Sequence, residues 1–399
     1  MLRHPFRCLA LFGLLIIAPA CRDDSLTPTD PDSSALATTT AALAFYQLSS
    51  GSTHTCALTT DQLAYCWGSN FRGMLGIGTD EGHATTPRPV AGTRQYRLIT
   101  AGEFHSCAIA TNYRAFCWGD NWIGQLGDGS QTTTAAPVAV TGGLRFRQIA
   151  LGYSFTCGLT ESDQRVYCWG YNHVGQLGDG TMASRPTPAP VFGARKFRQV
   201  TAGKYHACAV TTTNDAYCWG WDVDGQVGND ALRGRRTKPV LVAGGHKFRQ
   251  LDGGESHTCG LTTTDRVYCW GNNEYGQLGI PVSGDRLTPV AVTGGLTFRR
   301  VSAGGFHTCG ETSNSLVYCW GRNLEGQLGD GSTSGSSAPV KVVGGLKWAQ
   351  LSAGRHHTCG KTPSSAGYCW GVNNFGQIGN EAIEVGSATG TPVQVSGVQ

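Results

Sequence analysis

Nowhere in the 399 residues do apolar side chains keep a helical period of three to four positions, so an α-helical core is excluded. The N-terminal apolar run from Cys8 to Ile17 is too short for the roughly 20 residues of a membrane-spanning helix. A nucleophile elbow, a phosphate-binding loop and an HExxH motif are all missing, which removes the most readable hydrolase, nucleotide-binding and metalloprotease signatures. Gly-x-Gly fragments such as Gly127-Asp128-Gly129 recur along the chain and read as turns. Strong net charge is missing too: without Arg3, Arg7 and the rest of residues 1–20 there are 29 basic residues against 27 acidic. That balance gives no basis for nucleic acid as a partner.

What the chain does have is a repeat. A first cysteine recurs at Cys56, Cys107, Cys157, Cys208, Cys259, Cys309 and Cys359, in steps of 50 or 51 residues. A second follows at Cys66, Cys117, Cys168, Cys218, Cys269, Cys319 and Cys369, each time before Trp-Gly. Seven units therefore fill residues 45–399 and leave no room for another globular domain. Each unit holds short apolar pieces bounded by Gly, Pro, Asn or Ser, the signature of strands and turns, four strands to a unit.

The two cysteines of a unit flank a polar turn, Thr59 to Leu63 in the first, so a hairpin sets them opposite one another. Opposed Cβ atoms lie about 4.5–5.5 Å apart, within reach of a disulfide. In the third unit the spacing grows by one and the turn Glu161 to Arg165 absorbs the extra residue. Strand alternation puts Tyr65 and Trp67 on one face and the cysteines and Leu58 on the other, so both faces need cover. A linear stack would need atypical polar end units, yet the first and last units keep their cysteines and tryptophan. The expected fold is all-β: a closed seven-bladed propeller with four antiparallel strands per blade.

The unit A-G-x-x-H-T-C … Y-C-W-G-x-N-x-x-G-Q-L-G-D-G … P-V resembles the regulator of chromosome condensation repeat over residues 45–399. The resemblance implies a seven-bladed propeller, in agreement. For function it implies either guanine-nucleotide exchange on a small GTPase, as in the nuclear founding member, or binding and inhibition of secreted enzymes, as in bacterial relatives.

Arg3, Arg7, the apolar run and Ala18-Pro19-Ala20-Cys21 read as an export signal over 1–20. Fourteen of the 16 cysteines pair within repeats, Cys8 leaves with the signal, and Cys21 remains. Cys21 resembles a bacterial lipobox cysteine, departing from the pattern at Ala18, and Ala18-Pro19-Ala20 also suits ordinary signal peptidase. Residues 21–44, rich in Ser, Thr, Pro and Asp, read as a lipidated cysteine and a flexible tether. The expectation is an exported, membrane-anchored lipoprotein of a bacterial cell envelope, monomeric and without cofactor. Export argues against a cytosolic GTPase.

His54, His105, His206, His257, His307 and His357 share one repeat position, where the third unit has Phe155. One residue per blade cannot converge on a metal, so a structural role is expected and no metal site. The loops joining first to second and third to fourth strands share one face of the ring. There the variable residues Phe71, Phe104, Trp122, Tyr153, Tyr171, Tyr205, Trp221, Tyr275, Phe306, Arg322 and Arg355 form the candidate binding set. Exposed Trp, Tyr and Arg are typical of hot spots; the competing expectation is that these rings pack over the channel mouth. The leading reading is a non-catalytic scaffold for a protein or polysaccharide partner. The alternative is an extracytoplasmic lyase or hydrolase acting on a polymer, marked by a cluster of perturbed carboxylates and histidines at the mouth.

Overall fold

The computed structural model describes residues 43–80, 82–231, 234–282 and 284–397. The expected export signal over 1–20, Cys21, and the tether apart from Leu43 and Ala44 lie outside the described residues. In the first blade strand A is Phe45–Ser50, strand B His54–Thr59, strand C Ala64–Ser69 and strand D His83–Pro89. They pair antiparallel in chain order, and six further sheets repeat that order. Among the described residues the only helical element is the 3-10 turn Phe71–Gly73.

The register sets Cys56 opposite Cys66, with Cα atoms 4.1 Å apart, and the pair is bonded. Cys157 still meets Cys168 although one more residue separates them, because the turn takes up the insertion. All seven pairs are closed within their own blades.

Blades meet through two buried layers, as the alternation requires. On one face the motif tryptophan donates its indole N–H to the preceding blade: Trp118 to Met74 O at 3.0 Å, Trp169 to Gln125 O at 3.0 Å. The glycine of the Gln-Leu-Gly turn covers that indole. Gly127 has φ +74°, and a Cβ there would lie 2.5 Å from Trp169 Nε1, so neither backbone nor space admits a side chain. On the other face each buried histidine reaches a hydroxyl of the following blade, as His105 Nε2 does Thr156 Oγ1 at 2.9 Å. The expected structural role of the histidines is what the geometry displays.

The inner edge of each blade, strand A, faces the central channel with backbone groups that no fifth strand can meet. Glutamines of the neighbouring blade supply partners for them. Gln199 Nε2 donates to Leu251 O at 2.7 Å while Leu251 N–H donates to Gln199 Oε1 at 2.8 Å, and Gln47, Gln148, Gln250 and Gln350 act alike. At the outer edge strand D carries prolines, Pro186, Pro188 and Pro190 in the third blade, which offer no N–H to a passing strand.

Among the described residues no strand is exchanged to close the ring. The seventh blade meets the first through the contacts used elsewhere: Trp67 to Gln377 O at 3.0 Å, His357 to Thr55 at 2.9 Å, and Gln350 to Leu48 O at 2.8 Å.

Candidate functional site

The upper face is formed by the A–B and C–D loops. The residue after the first glycine of the A–B loop lines the channel opening in six blades, as Ser52, Glu103, Lys204, Glu255, Gly305 and Arg355; in the third blade that residue is Tyr153, and Gly152 lines the opening instead. Arg355 lies across the opening, 3.0 Å from a Glu103 oxygen and 3.2 Å from one of Glu255. Lys204 pairs with Glu255, and Ser52 donates to Glu103 at 3.2 Å. The blades that carry these residues are thereby tied across a cavity of about 110 Å³ beneath them.

Around this mouth the predicted aromatics form two groups. Phe71, Phe104, Tyr153, Tyr205 and Tyr171 run in sequence with centroids 6.2, 5.3, 5.3 and 6.5 Å apart. Tyr275, Phe306 and His356 form the second group at 5.6 Å spacings, with Arg322 donating to His356 Nδ1 at 2.8 Å and pairing with Glu325. The set divides between packed and solvent-facing rings. Phe104, Tyr153, Tyr171 and Tyr205 are half-buried against one another and Phe306 against Tyr275 and His356, whereas Phe71 is 54% exposed and Trp122 65%. Trp221 belongs to neither group and lies 5.9 Å from the Arg235 guanidinium.

Trp122 is held by a neighbour from the previous blade. The Arg72 guanidinium sits 3.7 Å from its ring centroid and 2.5 Å from Asp120. Arg72 adopts φ 58°, a left-handed backbone that a residue other than glycine rarely takes and that clusters at ligand-binding sites. The arrangement is a rigid aromatic-cation pair aimed at solvent.

Several groups at the mouth are shifted. Burial pushes the Glu103 carboxyl up against the pull of Arg355. Burial, then the neighbouring Tyr153 and Tyr171, pushes the Tyr205 hydroxyl up to about 12. His356 is pushed down to about 4, by burial first, with Arg322 and Arg355 adding to it and Glu325 opposing. Neutral at ordinary pH, it accepts from Arg322. Deeper in the channel, burial pushes Asp252 up to about 6, although Thr201 and the Ala303 N–H donate to it. Among the described residues no group of three or more His, Cys, Asp or Glu is placed to hold a metal ion.

Sequence reasoning missed Glu255, Asp120 and the exposed Leu324 and Phe375, all on this face. It also missed the lower face, made of the B–C turns and D–A connections. There Arg147, Arg198, Arg249 and Arg299 follow the aromatic that opens strand A, and each bonds the carbonyl of the next blade's opening aromatic at 2.8–3.1 Å. The signal was in the repeat, hidden by a net charge near zero.

The chain matches the regulator of chromosome condensation (RCC1) repeat at residues 61–109, 114–159, 163–210, 214–261, 264–310 and 314–360. Each matched repeat runs from strand C of one blade to strand B of the next, and so spans a blade–blade contact. The Arabidopsis thaliana ultraviolet-B receptor UVR8 is 31% identical over 238 residues, 58% of this chain and 54% of that protein. The human E3 ubiquitin-protein ligase HERC2 is 29% identical over 239 residues, only 5% of its length. The chain thus spans about half of the receptor and a small part of the ligase. Yeast RCC1 (Prp20), solved bound to Kap60, superposes with a TM-score of 0.75 at 21% identity, covering 85% of both chains. Human WBSCR16 gives 0.72 at 21% identity over 79% of this chain and 86% of that one. Those two likenesses concern the fold.

Proposed function

The chain belongs to the regulator of chromosome condensation repeat family, and from that premise we propose that it is a non-catalytic binding scaffold presenting its upper face to a protein. In this reading it is an exported lipoprotein of the cell envelope, held through Cys21 and the tether that follows. The observation that carries the binding role is the exposed Phe71–Arg72–Trp122 group beside an ion-paired mouth. It combines solvent-facing aromatics with a preorganised guanidinium, the chemistry of hot spots. Relatives lend support: the yeast protein was solved with Kap60, and its binding to Gsp1p and histones has been described.

The test is capture from envelope extract by the purified protein, followed by titration of the captured partner. Trp122→Ala and Trp221→Ala together should weaken binding by about 2 kcal/mol or more and leave the melting temperature nearly unchanged. Trp118→Ala, by contrast, empties a packed site between blades and should cost about 3–5 kcal/mol of stability. If the Trp122 and Trp221 changes destabilise the propeller as Trp118→Ala does, the face has been misassigned. Capture of a polysaccharide instead would change the class of partner.

A second reading, a polymer-cleaving enzyme, is favoured by one observation: the shifted Glu103, Tyr205 and His356 all stand around the mouth, Glu103 near Tyr205 and His356 in the second aromatic group. Against it, Arg355 pins both Glu103 and Glu255. Polymer cleavage that Glu103→Gln abolishes would establish this reading.

A further inference from the structure

The near-zero net charge conceals a separation of charge between the two faces. From Val90, Val140, Val191, Val242, Val292 and Val342 to the aromatic opening the next strand A, the six D–A connections contain no acidic residue. They contribute Arg94, Arg145, Arg195, Lys196, Lys247 and Lys347, all exposed. Arg97, Arg147, Arg198, Arg249 and Arg299 follow as the second residue of strand A in five consecutive blades, and Arg114, Arg165 and Arg266 sit in B–C turns. The acids on this side are Asp61, Glu161, Asp163, Asp215 and Asp265, of which Asp215 is bound by Lys247 and Asp265 by Arg249. Glu311 is buried beneath Arg299 and Arg300. On the upper face, in contrast, every C–D loop carries at least one acid.

The lower end of the channel opens into a cavity of about 430 Å³ whose lining includes Arg97, Arg300 and Lys361 and no carboxylate. Burial first, and the nearby Arg300 second, pull the Lys361 ammonium below its usual range. The chain also enters the propeller at this face. Ala44 O accepts from Thr60 N–H in the first B–C turn, and Phe45 N–H donates to Ser365 O in the last.

We propose that the lower face is a docking surface for an anionic lipid bilayer. Basic side chains are attracted to the negative surface of phospholipid headgroups within a Debye length. A chain anchored through Cys21 meets the propeller on this same side, so the aromatic upper face points away from the membrane, toward its partner. The orientation rests on the lipoprotein reading above; the electrostatic attraction does not.

The test is sedimentation of the Cys21→Ser protein, which carries no lipid there, with vesicles of phosphatidylcholine alone or mixed in equal parts with phosphatidylglycerol. Binding to the anionic vesicles only, released by high salt, is expected. Arg114→Gln, Lys196→Gln and Arg266→Gln combined should lower partitioning on the order of a hundredfold, about fivefold for each charge removed. Arg185→Gln, Arg235→Gln and Arg286→Gln, at the upper ends of strand D, should leave it unchanged. Equal binding to neutral vesicles, no binding to anionic vesicles at low salt, or stronger binding to duplex DNA would each overturn the proposal. Membrane retention of the wild type against Cys21→Ser in cells reads the lipid anchor separately.

Discussion

Phe155 stands where six blades carry a buried histidine, and Ala207, one blade on, stands where the others carry the hydroxyl that receives it. Histidine and hydroxyl are lost together, so neither is left buried without the other. The remaining six imidazoles are neutral: burial pushes His54, His105, His257, His307 and His357 down to about 3 and His206 to about 4. A histidine whose folded value lies below its unfolded value, near 6.5, gives stability that is complete above that pH. The unfolded chain binds protons first as pH falls, and each histidine then removes up to about 1.4 kcal/mol per pH unit. Asp252, raised to about 6, and the raised Glu103 and Asp222 work in the opposite sense, but they are three groups against seven lowered histidines once His356 is included. Thermal melts from neutral pH to about pH 4 should therefore show a steep loss of stability below about pH 6.5. The pair His105→Phe with Thr156→Ala, copied from the third blade's own solution, should reduce that slope by one histidine's share. An unchanged slope would remove His105 from the set of buried neutral groups.

At the scale of the strand, the glutamine of strand A serves as a single rung of sheet between blades that are otherwise separate sheets. Gln199→Ala leaves the Leu251 N–H and C=O to channel water and should cost about 1–2 kcal/mol in a denaturant melt. Gln199→Glu should cost more, because a carboxylate would face the Leu251 carbonyl oxygen. If both variants melt like wild type, the rung contributes nothing beyond water. The strands and disulfides are legible in the sequence itself, since period, turn residues and the Cys-to-Cys spacing all constrain one hairpin. The mouth is legible only in part. Arg355 meets Glu103 across 252 positions of sequence, a contact set by the closure of the ring rather than by anything local. The basic lower face is hidden for a different reason: whole-chain charge averages over two faces, and only sorting residues by strand end separates them.

Among the described residues, contacts between blades rather than a shared strand hold the whole propeller shut, and residues 395–396 follow the path of an internal connection. Val395 N–H donates to Gly367 O as Val140 N–H does to Ala115 O, and Ser396 repeats the bond of Thr141, to Gly379 O as to Gly127 O. The first strand begins beside them, with Phe45 bonded to Ser365 of the seventh blade. The seventh-to-first junction thus uses the tryptophan, histidine and glutamine contacts found at other junctions. A circular permutant follows: residue 397 joined to residue 43 by a short Gly-Ser linker, and the chain opened between Gly142 and Gly143. Those glycines, at φ 84° and 67°, have no neighbouring atoms within 4 Å of where a Cβ would stand, so a break there disturbs no packing. Loss of one loop's closure should cost only about 1 kcal/mol, and for a chain of this size the melting temperature should stay within about 4 °C of the natural order. A single cooperative transition, seen alike by tryptophan fluorescence and circular dichroism, is expected. Two separate transitions, or a drop several times larger, would mean that the opening between residues 397 and 43 matters to closure in a way that the contacts between blades do not account for.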